Sequence, residues 1–190
     1  MAKRAKFKPD DDKLRELILL ITLRSERDPT FGSVKLNKLL FYCDFSAYLT
    51  YGKPITGQEY FSLKQGPAPR QMKPITDRME EERELAFQRT DYFGRIQNKP
   101  IALRSPNLRI FTAQEIGLVD EIIQKWSGKN ATEISRHSHL FIGWKVAGEK
   151  ETIPYSTALI GFREPTEDEY KRGLKLESRA VEKLSGHAAR

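Results

Sequence analysis

KLNKLLFYCDFSAYLTYGKPITG, residues 35–57, is the stretch on which the fold of this chain turns. Leu36, Leu39, Leu40 and Cys43 recur at helical spacing, and Phe41, Tyr42, Phe45, Tyr48 and Leu49 widen the stripe most of the way round. A helix apolar on so many faces is buried against several neighbours. Asn37, Lys38, Asp44 and Ser46 interrupt the run well short of the roughly 18 uncharged residues that a bilayer span needs. The stretch therefore predicts a central core helix, ended by Gly52-Lys53-Pro54, where glycine supplies the terminating conformation and proline fixes the exit.

Working outward, Asp10-Asp11-Asp12 predicts an N-cap and acidic first turn. A helix follows over residues 11–26, with Leu14, Leu17, Ile18 and Ile21 on its apolar stripe. Ser33 is the expected cap of the central helix. Residues 58–64 alternate as a strand, and Gly66-Pro67-Ala68-Pro69 predicts a loop. Met72, Ile75 and Met79 give a third helix with Pro74 in its first turn. Residues 85–93 and 100–111 read as strands, with a hairpin-like turn at Ser105-Pro106-Asn107. Thr112…Glu115, Asn130…Glu133 and Thr166…Glu169 each have the spacing of a capping box that opens a helix. The sum is α+β: a mostly helical single domain with a small antiparallel sheet and a buried central helix. Residues 1–10 are expected to be a flexible basic tail, 11–162 the domain, and 163–190 a charged helix and tail.

The 190 residues carry a net charge of +7, with 31% charged and 38% hydrophobic residues, enough for one real core. Lys3, Arg4, Lys6 and Lys8 precede the first acidic residue, so the rest is only mildly basic. Such a tail is a candidate nucleic-acid contact, although a solubilising role is the commoner reason for one. No disulfide can form from the single Cys43, and its apolar neighbours argue for a buried thiol over a nucleophile. No secretory signal is apparent, so the expected location is the cytoplasm. Phosphate-binding glycine loops are missing, and His137 and His139 are two apart, poor spacing for a shared metal on one helix. Neither an enzyme nor a cofactor is expected.

Taken in order, KLNKLLF (35–41), YGKPITG (51–57), Gly66-Pro67, Ser138-His139, Trp144-Lys145 and Ile153-Pro154-Tyr155 resemble the pattern of the Panacea, or SocA-like antitoxin, domain. That resemblance implies a non-enzymatic antitoxin of a bacterial or prophage toxin–antitoxin system, whose partner is a cognate protein toxin neutralised by direct binding. The alternatives are a DNA-binding regulator of its own operon and an adaptor that delivers its partner to a protease. The polar residues left over in and near the motifs, Lys38, Asp44, Tyr51, Gln65, Arg70 and Trp144, are the candidate partner contacts. Against that stand ordinary internal roles: Asp44 pairing Lys38 or an arginine, and Trp144 as core. The apolar positions of the C-terminal helix are few enough to make it a candidate oligomer contact.

Overall fold

The computed structural model describes residues 7–92 and 94–160. Its elements are α1 (Asp11–Arg24), α2 (Ser33–Tyr51), β1 (Tyr60–Phe61), β2 (Ala68–Pro69), α3 (Met72–Glu81), β3 (Leu85–Tyr92), β4 (Arg95–Ala102), α4 (Ala113–Trp126), α5 (Ala131–Ser138), α6 (Ile142–Val146) and β5 (Thr152–Ile153). Short 3-10 segments lie at Leu108–Ile110 and Tyr155–Ile160. The domain is mostly helical α+β. The expected Thr166…Glu169 helix lies outside the described residues.

Helix α2 is the axis of the fold: α1, α4, α5, β2, β4 and the 3-10 turn at Tyr155–Ile160 all pack on it. Leu36, Leu39, Leu40, Phe41, Cys43 and Phe45 are fully buried, each large apolar side chain contributing about 1.5–3 kcal/mol. Gly52 ends the helix at φ 74°, and its N–H bonds to the Tyr48 carbonyl, the left-handed stop expected of glycine. Asp10 caps α1 through Lys13 N–H at 2.9 Å. Both described capping boxes form, Thr112 with Glu115 and Asn130 with Glu133. Glu115 does double duty, since its other oxygen binds Lys13 Nζ at 2.7 Å and ties α4 to α1.

Four local expectations change. The N-cap of α2 is Gly32; Ser33 instead donates its hydroxyl to the Asn98 carbonyl at 2.9 Å, pinning β4 to the helix start. The strand predicted over 58–64 shortens to Tyr60–Phe61, because the Leu63 carbonyl is taken by Gly66 N–H and by the Trp144 indole. Ala68–Pro69 is an edge strand in the order β2-β1-β5, with Phe61 facing Ala68, and an edge is the one place where strand proline costs no ladder bond. The long hairpin pairs β3 with β4 from Leu85↔Ala102 to Tyr92↔Arg95 and closes at Gly94, not at Ser105-Pro106-Asn107. Gly94 supplies φ 74°, and Asp91 Oδ1 accepts its N–H at 2.8 Å. Asn107 instead caps the 3-10 turn, its own N–H held by Glu16.

Candidate functional site

Three sequence-distant motifs meet at Gly66. Lys38, on α2, is only 2% exposed and its Nζ donates to the Pro67 carbonyl at 3.0 Å. With no carboxylate to offset desolvation, burial lowers its pKa to about 7. Gly66 sits at φ 94°, where a Cβ would lie 2.4 Å from Ser138 Oγ and 2.7 Å from Lys38 Cε. The backbone conformation and the close approach both demand glycine. Gly66→Ala is therefore expected to cost about 2 kcal/mol or more, a drop of several degrees in melting temperature by differential scanning fluorimetry. An unchanged melting temperature would contradict this packing.

His139 and Trp144 extend the junction. Their rings stack at 4.0 Å with an interplanar angle of 13°, and Trp144 Nε1 donates to the Leu63 carbonyl at 3.0 Å. His139 Nε2 is buried with no partner among the described residues. Burial first, and then the Lys38 charge, hold His139 below the usual imidazole range. His137 turns elsewhere, its Nδ1 2.8 Å from the Tyr42 hydroxyl.

The second half of the α2 motif folds back on Asp44. This carboxylate is fully buried and accepts from Thr56 N–H at 2.7 Å, from the Thr56 hydroxyl, and from the Tyr60 hydroxyl at 2.8 Å. Burial pushes its pKa up, against those hydrogen bonds. The Thr56 carbonyl in turn accepts Asp10 N–H at 2.9 Å, and the Tyr155 hydroxyl donates to the Gln58 carbonyl at 2.7 Å. The Ile-Thr-Gly turn and the Ile-Pro-Tyr segment are thus fastened to one side of α2.

The candidate contacts separate into three groups. Lys38 and Asp44 are buried anchors that bind different partners, so neither stands on the surface and they do not pair with each other. Gln65 and Arg70 are exposed on the β1–β2 hairpin, and half-buried Trp144 packs beneath its turn. Arg70 lies over the Phe61 ring at 5.1 Å and 3.5 Å from Glu59. Tyr51, 39% exposed, is on the last turn of α2, about 20 Å along the axis from Lys38. Lys8 is exposed, whereas Lys3, Arg4 and Lys6 lie outside the described residues. Gln65 and Trp144 lie near the turn of that hairpin, where the indole meets the Leu63 carbonyl, whereas Arg70 stands at its base beside Glu59, the Lys150 carbonyl and Thr152.

Sequence reasoning missed Lys35 and His139. Lys35 is 1% exposed and satisfies its ammonium on Asp28 Oδ2 at 2.6 Å, Thr30 Oγ1 at 2.8 Å and the Lys129 carbonyl at 2.7 Å. Nothing in the local pattern marks a buried lysine. His139 stood in a quoted motif beside Ser138, and its five-residue distance from Trp144 was the available signal.

The geometry defines a helical α+β domain in which α5, β2 and the 3-10 turn at Tyr155–Ile160 pack on one buried helix, with Lys38 of that helix bonded to the Pro67 carbonyl. A family model described as "Antitoxin SocA-like, Panacea domain" matches residues 36–145, and the chain belongs to that family. No curated protein and no solved structure matches the chain. Among the described residues no helix is long and apolar enough to cross a membrane.

Proposed function

We propose that this chain is the antitoxin of a bacterial or prophage toxin–antitoxin pair and neutralises a protein toxin in the cytoplasm by binding it directly, without catalysis. The observation that carries this reading is the antitoxin family match over residues 36–145. The β1–β2 hairpin, with Gln65 near its turn above Trp144 and Arg70 at its base, is its binding face. Its backbone is held by Lys38, Gly66 and the Trp144 indole, so the exposed side chains are presented on a stiff support. A preorganised face loses little entropy on association.

The test is growth. The product of the neighbouring open reading frame, expressed alone, should arrest cells, and co-expression of this chain should restore them. Arg70→Glu alters an exposed side chain and should leave solubility unchanged while weakening rescue, since loss of an arginine anchor costs about 2 kcal/mol, roughly thirtyfold in affinity. Relief of toxicity with no complex recoverable from the cells would replace neutralisation by binding with repression or delivery to a protease.

A further inference from the structure

The β3–β4 ribbon has two long edges, and the described residues outside it bond to the backbone of only one. In its register Thr90 faces Gln97 and Tyr92 faces Arg95, while Leu103 N–H reaches the Glu84 carbonyl at 2.8 Å. Antiparallel partners exchange backbone bonds at alternate positions. The even-numbered residues of β3 therefore use their backbone groups inside the ribbon, and Phe87, Arg89 and Asp91 turn theirs outward. On β4 the outward positions are Ile96, Asn98 and Pro100. There the Ser33 hydroxyl occupies the Asn98 carbonyl, Pro100 has no N–H, and Gln97 lies so near Gly32 that a Cβ on that glycine would be 2.7 Å from it. The start of α2 thus covers the middle of the β4 edge, at Asn98. On β3, among the described residues, no hydrogen bond from outside the ribbon reaches the backbone of Phe87, Arg89 or Asp91.

An open edge is a template for another strand, and exposed charges along it normally discourage pairing. Here the charges are self-complementary. We propose that β3 pairs antiparallel with β3 of a second copy of the chain about a two-fold axis through Thr90, merging two ribbons into one four-stranded sheet. Arg89 then faces Asp91 of the second copy, and Asp91 faces its Arg89, with all four backbone groups of each pair bonded. Sliding by one hydrogen-bonded step in either direction sets Arg89 against Arg89 or Asp91 against Asp91, so charge selects the register. Both side chains are exposed; Asp91 uses Oδ1 on Gly94 N–H and keeps Oδ2 for the guanidinium. The turn from Met79 to Glu84 places α3 at the base of the ribbon, away from this pair. The β3–β4 ribbon is a separate sheet from the β1–β2 hairpin, so the interface holds whether or not that hairpin binds a toxin.

Cys43, the single cysteine, is fully buried, so one introduced cysteine gives one accessible thiol. In the proposed register Thr90 faces itself as a non-hydrogen-bonded pair with Cα atoms about 4.5 Å apart, within disulfide reach. Gln88 lies about 13 Å from its counterpart. The full chain should sediment as a concentration-dependent dimer, Thr90→Cys should form a disulfide dimer under mild oxidation, and Gln88→Cys should not. Arg89→Glu sets Glu against Asp and should weaken the dimer at least about tenfold without lowering the melting temperature. A monomer at every concentration, equal crosslinking through residues 88 and 90, or an Arg89→Glu variant that sediments like the wild type would each overturn the pairing.

Discussion

Asp44→Ala should lower stability by about 3 kcal/mol or more, as much as truncating a large core side chain. Asp44 accepts from Thr56 N–H, the Thr56 hydroxyl and the Tyr60 hydroxyl, and all three donors are buried with it. Truncation leaves the Thr56 N–H with no acceptor and opens a hole between α2 and the turn at residues 55–57. Neither hydroxyl can turn to water, because Tyr60 and Thr56 are each 1% exposed. The turn also holds the Asp10 N–H, so α1 loses part of its N-terminal anchor. Asp44→Asn, which keeps one acceptor and the volume, should cost about half as much. Urea unfolding followed by circular dichroism measures both, and an Asp44→Ala midpoint equal to the wild type would show that the carboxylate fastens nothing.

Lys38→Met should do the reverse, stabilising the protein at neutral and acidic pH. The Lys38 pKa falls from its usual value to about 7 on folding, through desolvation alone. Below pH 7 both folded and unfolded chains carry the ammonium, and its burial cost is fully present. Between pH 7 and about 10 the folded state has released the proton and the unfolded state still holds it, so stability rises with pH. Methionine removes that dependence at the price of one hydrogen bond to Pro67. The advantage of Lys38→Met over wild type should therefore be largest near pH 6 and shrink by about 2–3 kcal/mol by pH 9. Taking the difference between the two proteins cancels the buried tyrosines, which titrate in both. A constant difference across this range would mean that Lys38 is neutral at pH 6 or charged at pH 9.

What could be read from the sequence was local. The density of apolar residues from Leu36 to Leu49 identified the central helix, and Gly52 its end, because both signals lie within a turn or two of their effect. The capping boxes at Thr112 and Asn130 were legible for the same reason. Polar residues misled where their partners are remote. Lys38 reaches a carbonyl 29 residues on, and Asp44 a threonine 12 residues on, yet a charged side chain in isolation is expected to face water. The hairpin was misplaced because Ser105-Pro106-Asn107 has stronger turn composition than the pair at 93–94, whereas the register is set by the core side of Leu85 and the seat of Asn98 on Ser33. Gln65, Arg70 and Trp144 stand out in the sequence as polar remainders of the motifs, but that Trp144 packs under the turn that carries Gln65 is a property of the Leu63–Trp144 hydrogen bond, 81 residues apart.

The most direct measurement is a calorimetric titration of the purified 190-residue chain with the purified product of its neighbouring gene, run in parallel with the Arg70→Glu variant. Neutralisation through the β1–β2 hairpin predicts saturable binding to the wild type and at least tenfold weaker binding to the variant, with the variant still folded by circular dichroism at the titration temperature. No binding by the wild type, or equal affinity for both proteins, would contradict it.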